Sequence, residues 1–415
     1  MLSTITDFYL KSRDYNGIPV STLIRKHGLK EIRSIIEDLI VNGLACVVYG
    51  DYHPNPHIRA LPSESINEQI EKLTSERFEH SCVYPTGKHL REVVDPSEFH
   101  NRPFELALAV GEHQLLHFSF DLSILEIYRN DPRYYYQYGD IQGYISIKDE
   151  YYETDKMRDS DQILLESFGF ALDTEDNIYV AAFLRYLSKL SPEHQLIWAS
   201  KQVSHETYLH PDYFRTSIIG DWPERLSLYQ AVLLEMKTTN EMAHAIGRQP
   251  IFMQVFSEDA RPREYGYLLR PTLKEFGDFV HLLDKMLSEN INREFFGTDV
   301  FLETEERRKD GKIIVKPKGT IQILEEWLRG QFKTNDWSEI EEMIYTLRQI
   351  RALRQKPAHA IRANEFDQKY IHKQRELMKS VYRAVKILRV VLGLHQGAEV
   401  VRINRHLQEG LIWSI

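Results

Sequence analysis

One short segment, residues 347–361 (LRQIRALRQKPAHAI), combines an arginine and a histidine at a spacing that suits phosphate chemistry. Arg354 and His359 are five residues apart, which on an unbroken helix would turn their side chains about 140° away from each other. Pro357 lies between them, and its ring removes a backbone donor and clashes with the preceding turn. The sequence therefore predicts a helix break that lets Arg354 and His359 converge on one point.

This pair suits the cleavage of RNA without a metal ion. Histidine ordinarily titrates near neutrality, so His359 is a candidate general acid or base for the 2′-hydroxyl or the leaving 5′-oxygen. Arg354 stays charged and presents parallel donors to the non-bridging oxygens of a phosphate. Gln355, Lys356 and Arg351 are candidate substrate-binding residues beside the pair. We expect a 2′,3′-cyclic phosphate product and no metal or cofactor.

A structural role is the alternative for the same residues. Arg354 would then be a solvated residue on a helix face, and His359 a hydrogen-bonded residue at the start of the next helix. A third alternative is a helical bundle that has kept its fold and lost its activity.

The charge distribution indicates nucleic acid as a partner of this region only. The whole chain has 52 Lys and Arg against 61 Asp and Glu, and its net charge of −9 argues against a general nucleic-acid coat protein. Between residues 345 and 406, however, fourteen basic side chains stand against four acidic ones, so this stretch carries +10 and the remainder −19. Such a cluster attracts a phosphate backbone. The alternative is a solvated helix face that pairs with the acidic remainder.

Composition and length favour a protein of several domains with ordinary apolar cores. The 415 residues are 42% hydrophobic, which excludes disordered and collagen-like chains, and the length favours two or three domains. Cys46 and Cys82 are too few for a disulfide framework and lack zinc-ligand spacing. The N-terminal residues do not resemble a secretory signal, and no apolar run is long enough to span a bilayer. We therefore expect a cytoplasmic protein that makes no membrane contact.

The hydrophobic patterns predict a mixed, mainly α fold in three domains, of which the first covers residues 1–61. Ser3 and Ser21 are candidate helix starts, and Gly43 is the predicted terminator of a third helix. The runs LACVVYGDY and HIRAL then flank Pro-Asn-Pro as a predicted hairpin. This order of elements is typical of a winged helix-turn-helix.

Residues 62–270 are predicted as an α+β middle domain with a sensor or regulatory role. Apolar residues alternate at period two in residues 104–110 and 116–120, and GYISIK at 143–148 adds a third strand-like run. Helices are predicted for NIYVAAFLRYLSKL and for SLYQAVLLEMKTTNEMAHAIG.

Residues 271–415 are predicted as a helical bundle. Thr272 is a candidate cap for the first helix, TLKEFGDFVHLLDKMLSENI, which precedes a polar segment. The next helices are TIQILEEWLRGQF, WSEIEEMIYTLRQIRALRQ and DQKYIHKQRELMKSVYRAVKILRVVLG. Four amphipathic helices with mostly short connections favour a four-helix bundle. The Arg354/His359 segment lies at the junction of the last two helices.

In this position, Arg354-Gln355-Lys356-Pro357-Ala358-His359 resembles the R-x4-6-H motif of the HEPN superfamily (higher eukaryotes and prokaryotes nucleotide-binding). The resemblance covers residues 271–393. Superfamily members are commonly metal-independent endoribonucleases of toxin, CRISPR-associated and other antiphage systems, and they build a composite active site across a two-fold dimer. Many members carry Asn, Asp or His directly after the arginine, where this chain carries Gln355.

The resemblance implies a homodimeric endoribonuclease that acts on RNA as a toxin or antiphage-defence effector. The N-terminal and middle domains would then bind a protein partner or trigger and restrain the nuclease. The alternative is a non-catalytic winged-helix regulator or scaffold that dimerises through a silent bundle. The presumptive recognition helix favours protein contact over DNA binding, because it has two basic residues against three acidic ones, namely Lys30, Arg33, Glu31, Glu37 and Asp38.

Overall fold

The computed structural model describes residues 1–152, 154, 158–307, 313–355 and 363–413, and its fold is mixed α/β and mainly helical. The chain divides into two compact units, residues 1–223 and 224–415. This division falls at neither of the boundaries expected from sequence, which lie after residues 61 and 270.

The first unit begins with three helices and a small antiparallel sheet around an aliphatic core. The helices are α1 (Leu2–Lys11), α2 (Val20–His27) and α3 (Leu29–Val41). The strands are β1 (Ile18–Pro19), β2 (Ala45–Val48) and β3 (Cys82–Pro85), in the spatial order β1-β3-β2. Gly43 follows α3 with a φ of +67°, which confirms the predicted helix terminator. Ser3 and Ser21 instead lie inside α1 and α2.

The predicted hairpin between LACVVYGDY and HIRAL is wrong. Strand β2 pairs with β3, more than thirty residues downstream, and residues 57–61 form no strand. Pro54 and Pro56 have no backbone donor to offer a strand ladder. The Tyr84 hydroxyl donates to the carbonyl oxygen of His57 at 2.6 Å, so a side chain fixes this segment where a strand was expected.

The remainder of the first unit is a second antiparallel sheet surrounded by short helices. Its strands run in the order β4-β8-β7-β6-β5, and β9 pairs with β7. The strands are β4 (His117–Phe120), β5 (Tyr134–Tyr138), β6 (Gln142–Ile147), β7 (Leu164–Leu172), β8 (Ile178–Phe183) and β9 (Tyr208–Leu209). The helices are α4 (Ile66–Lys72), α5 (Gly87–Val93), α6 (Pro103–Ala109), α7 (Glu126–Asn130), α8 (Leu184–Leu187), α9 (Pro192–Ala199) and α10 (Pro211–Phe214).

Two of the strands expected in this region are confirmed, and two other expectations are wrong. Strands β4 and β6 match the predicted runs, whereas residues 104–110 lie mostly in helix α6. Helix α6 begins at Pro103, and the Gln195 side chain accepts hydrogen bonds from the first free amides, including that of Phe104 at 3.1 Å. The first half of the expected helix at 177–190 is strand β8. Its residues 180–183 are all buried, and periodicity cannot distinguish such a run from a buried helix.

The second unit is built from six helices and a two-stranded element in its described residues. The helices are α11 (Leu228–Ala245), α12 (Leu273–Met286), α13 (Thr320–Gln331), α14 (Ser338–Gln355), α15 (Lys369–Gly393) and α16 (Arg405–Glu409). The strands β10 (Glu303–Arg307) and β11 (Ile313–Pro317) form an antiparallel pair in the segment expected to be polar. The four helices predicted after residue 271 are present, and the Thr272 hydroxyl caps α12 by accepting from the Glu275 amide.

One continuous apolar core joins the helices of the second unit. Helix α14 packs against α12, α13 and α15, and α11 packs along α15. Fully buried side chains from four helices meet in this core, among them Val280, Leu324, Ile350 and Met378. Helix α11, which the sequence assigned to the middle domain, therefore shares its core with the C-terminal helices.

A buried ion pair joins α11 to α15. The Glu235 side chain is fully buried and that of Arg389 is 8% exposed, and the Arg389 guanidinium donates to both carboxylate oxygens. Burial raises the pKa of Glu235, and the positive charge of Arg389 opposes that rise. The pair constrains how α11 and α15 align, because each charge must meet its partner out of contact with water.

Replacing one member of this pair is expected to lower the free energy of unfolding much more than replacing both members. Arg389→Met leaves the Glu235 carboxylate buried and unpaired, which costs about 3–5 kcal/mol in the free energy of unfolding. The free energy of unfolding of the double variant Glu235→Leu/Arg389→Met should be within about 1 kcal/mol of the wild-type value, or higher than it. Urea denaturation at pH 7 measures both changes.

The pH provides a control for this prediction. Because burial raises the pKa of Glu235, the folded Arg389→Met variant binds a proton more readily than the unfolded chain does. The stability lost by this variant should therefore be partly recovered as the pH falls from 7 towards 5. Equal costs for the single and double variants would contradict the account.

Candidate functional site

Arg354 lies in the last turn of α14, at one end of the helices that form the second unit. Buried Ile350 and Leu347, four and seven residues before Arg354 and so on the same side of α14, anchor this end of the helix in the core. Arg351 is three residues earlier and therefore on the same side of the helix as Arg354. Their side chains are 28% and 31% exposed, so both guanidinium groups reach the surface from a fixed helix.

Two carboxylates already occupy the Arg354 guanidinium. Arg354 Nη1 donates to Asp284 Oδ2 at 2.7 Å and also to the Glu289 carboxylate. Arg351 Nε lies 3.5 Å from Asp284 Oδ1. We call Asp284, Glu289, Arg351 and Arg354 the arginine–carboxylate cluster. Its two positive and two negative charges cancel.

The two acidic residues of the cluster differ sharply in their surroundings. Asp284 belongs to α12 and its side chain is fully buried, whereas the Glu289 side chain is 40% exposed in the turn after α12. An exposed ion pair is worth about 0.2–1 kcal/mol. Loss of the partner of a buried charge costs about 3–5 kcal/mol. Asp284 is therefore a fixed part of the site, and the contact made by Glu289 is weak.

The turn that carries Glu289 is held by hydrogen bonds to its backbone. The Glu289 amide donates to the Asp284 carbonyl oxygen at 2.9 Å. The Asn290 amide group donates to the carbonyl oxygens of Met286 and Gln254. The Thr320 hydroxyl, at the start of α13, donates to the Ser288 carbonyl oxygen at 2.6 Å. Hydrogen bonds to α12, to Gln254 and to the start of α13 therefore fix the backbone that carries Glu289.

The charges of the cluster shift its pKa values in the directions that ion pairing predicts. The hydrogen bond from Arg354 lowers the pKa of Glu289, and the positive charges of Arg354 and Arg351 add to this effect. The hydrogen bonds to Glu289 and Asp284 raise the pKa of Arg354. Arg354 is therefore a permanent cation that binds two carboxylates, those of Asp284 and Glu289, in this structure.

The structure describes only some of the residues predicted for the site. It brings Arg351 and Arg354 together, and it places Gln355 at the exposed end of α14. Lys356 and His359 lie outside the described residues, so the convergence of Arg354 and His359 stays a prediction. The described part of α14 runs to Gln355, and Pro357 lies outside the described residues, so the helix break at Pro357 also stays a prediction.

The chain on either side of residues 356–362 is attached to opposite parts of α12. Arg354 contacts Asp284, whereas the Asn364 side chain accepts a hydrogen bond from the Lys274 amide at 2.9 Å. An α-helix rises 1.5 Å per residue, so these two attachments are separated by about 15 Å along α12. His359 lies in the segment that connects them.

Sequence reasoning missed Asp284 and Glu289. A signal for Asp284 was present, because it is four residues after buried Val280 and therefore lies on the apolar face of α12. A carboxylate on such a face requires a charged partner. No comparable signal marks Glu289, which lies in a turn and meets Arg354 only through the tertiary fold.

The basic stretch of residues 345–406 is largely paired with acidic side chains of the same unit. At least eight of its fourteen basic residues have a carboxylate oxygen within 4.0 Å: Arg348, Arg351, Arg354, Lys369, Lys379, Arg383, Arg389 and Arg405. Apart from buried Arg389, this pairing favours the alternative of a charge-compensated helix surface for these residues.

Comparison of the chain with protein-family models, curated proteins and solved structures finds no match. Within the described ranges, no group of three or more His, Cys, Asp or Glu side chains is arranged to hold a metal ion. Cys46 and Cys82 are buried free thiols. None of the helices in the described part of the chain is both long and apolar enough to cross a membrane.

Arg354→Met is expected to destabilise the protein more than Arg348→Met, a matched substitution on the same helix. Without Arg354, the buried Asp284 carboxylate keeps only Arg351, and we expect a loss of about 2–4 kcal/mol. Arg348 pairs with Glu325 at the surface, so Arg348→Met should lower the free energy of unfolding by less than about 1 kcal/mol. Urea denaturation of the two variants makes the comparison, and equal losses would contradict the fixed role of Asp284.

Proposed function

We propose that this chain is a metal-independent endoribonuclease of the HEPN type that acts as a toxin or antiphage-defence effector. The observation that carries the proposal is the position of Arg354, a partly exposed guanidinium at the end of α14, five residues before His359. A phosphate needs a fixed, permanently charged donor group of this kind. A histidine close in sequence supplies a group that exchanges protons near neutral pH.

The proposed reaction transfers the phosphoryl group from the 5′-oxygen to the 2′-oxygen and moves two protons. The 2′-oxygen of RNA attacks the neighbouring phosphorus while His359 takes the 2′-hydroxyl proton. Arg354 stabilises the negative charge on the non-bridging oxygens. The bond from phosphorus to the 5′-oxygen breaks, and a second copy of His359 across a homodimer protonates that oxygen. The products are a 2′,3′-cyclic phosphate and a 5′-hydroxyl.

The finer architecture belongs to the same proposal. In the first unit, α1–α3 with β1–β3 suit a winged helix-turn-helix, and the larger sheet suits an α+β domain that binds a trigger or a protein partner. In the second unit, α12–α15 suit a four-helix bundle of the HEPN kind, to which α11 adds a fifth long helix. The first unit would restrain the nuclease until the trigger arrives.

A homodimer is expected because the composite site requires two copies of the arginine–histidine motif. Light scattering coupled to size-exclusion chromatography should give twice the 48.9 kDa mass of one chain. A monomer at every concentration from 1 to about 50 µM would contradict the composite site.

Cleavage of RNA in EDTA is the central expectation. Wild-type protein should cut total RNA in the presence of EDTA, and His359→Ala should lower the rate by about 10²- to 10⁴-fold, because it removes the proton-transfer group. Arg354→Lys keeps the charge next to Asp284 but loses the planar donor fork, and we expect a loss of at least about tenfold. Gel electrophoresis of the RNA over time measures each rate.

Arg348→Ala is the matched control, since Arg348 lies on the same helix and pairs with Glu325 away from the cluster. Circular dichroism should show that all variants are folded. Undiminished cleavage by both His359→Ala and Arg354→Lys would overturn the site. Induced expression in cells should arrest growth, and His359→Ala should relieve the arrest.

One observation favours a second candidate function, a regulator or scaffold with a catalytically silent bundle. Asp284 and Glu289 neutralise Arg351 and Arg354, and at least six other basic residues of the stretch are also paired. A scaffold of this kind predicts no cleavage in EDTA and no growth arrest by the wild-type protein.

A further inference from the structure

We propose that Glu289 is a built-in competitor of the substrate: its carboxylate occupies the place on Arg354 that a phosphodiester of RNA takes. This inference rests on the proposed function for the identity of the substrate. It adds a residue that the R-x4-H motif does not contain, and it explains how a phosphate-binding arginine coexists with two acidic neighbours.

The geometry of the contact supports the competition. A carboxylate and a phosphodiester both present two negatively charged oxygens to a guanidinium group, and arginine binds both through its parallel donors. Arg354 Nη1 donates to the Glu289 carboxylate, and the side chains of Arg354 and Glu289 are 31% and 40% exposed. A phosphate that approaches Arg354 from solvent therefore competes with Glu289 for the same donor.

Asp284 and Glu289 have different roles because only one of them can leave. Asp284 is fully buried beneath Arg354, and its departure would strand a charge in the apolar core. It is a positioning residue that fixes the direction of the guanidinium. Glu289 can exchange its contact with Arg354 for contact with water, because its side chain already reaches solvent.

The displacement needs only rotation of the Glu289 side chain. The neighbouring backbone is held by the hydrogen bonds from Asn290 to Met286 and Gln254 and from Thr320 to Ser288. The polypeptide of the turn can therefore stay in place while the carboxylate swings away. An incoming phosphate would then find Arg354 still oriented by Asp284 and supported by Arg351.

Binding of a nuclease-resistant RNA tests the competition apart from cleavage. A fluorescein-labelled, fully 2′-O-methylated RNA of about 20 nucleotides has no 2′-hydroxyl to attack, so fluorescence anisotropy reports binding alone. At 50 mM NaCl, Glu289→Gln should bind this RNA about fivefold more tightly than the wild type, because a negative charge beside the phosphate is removed. The gain should shrink at 300 mM NaCl as the charges are screened.

Glu325→Gln is the matched control. It removes the same charge from a carboxylate that pairs with Arg348 and Arg329 in the same unit, away from the cluster. We expect its affinity to change less than twofold. The double variant Glu289→Gln/Arg354→Lys should lose the gain, because the competition acts at the Arg354 fork.

Chemical labelling of Arg354 gives a second readout that needs no RNA. Phenylglyoxal reacts with accessible guanidinium groups, and peptide mass spectrometry separates Arg354 from Arg348. Glu289→Gln should raise the labelling rate of Arg354 by about threefold or more and leave Arg348 unchanged, and 2′-O-methylated RNA should protect Arg354.

The outcomes distinguish this inference from the proposed function. Equal gains in RNA affinity for Glu289→Gln and Glu325→Gln would overturn it, as would RNA binding by no variant or an unchanged labelling rate of Arg354. Faster labelling, tighter binding by Glu289→Gln and no cleavage by any variant would support the competitor role while refuting the nuclease.

Discussion

The second unit depends on one constraint, that the buried carboxylate of Asp284 must have a positively charged partner. Asp284 lies on the apolar side of α12, where an unpaired charge would oppose folding, and Arg354 supplies the partner from the end of α14. The requirement ties the last described turn of α14 to α12. It also holds a guanidinium at the surface in one orientation. The Arg354–Asp284 contact thus both stabilises the fold and holds a guanidinium group where an anion can bind.

The Glu235–Arg389 pair applies the same constraint between α11 and α15 with a different outcome. Both of its members are buried, so the pair is closed to any ligand, whereas the cluster around Arg354 opens to solvent through Glu289. The difference in exposure separates a charge pair that only aligns helices from one that can exchange partners. It also shows why the net charge of residues 345–406 alone misleads, since carboxylates outside this stretch, such as Glu325, Glu342 and Glu409, pair with its basic residues.

The sequence predicted best where each element could be recognised from its own residues. Helices α12 to α15 have amphipathic periods, and Thr272 marked the start of α12 correctly. It failed where pairing is remote, as for β2 with β3, or where local patterns are ambiguous, as for α6 and β8. The site was predicted in part, because Arg354 belongs to a recognisable motif. Asp284 and Glu289 contact Arg354 only through the tertiary fold, and no local sequence motif indicates those contacts.

The chemical identity of the RNA ends formed in EDTA tests the central claim most directly. If Arg354 and His359 cleave RNA through its 2′-hydroxyl, every new 3′ end will be a 2′,3′-cyclic phosphate or its hydrolysis product and every new 5′ end a hydroxyl. Mass spectrometry of a short synthetic RNA after incubation resolves these ends. Products with 3′-hydroxyl and 5′-phosphate ends, or intact RNA until a divalent metal is added, would contradict the account.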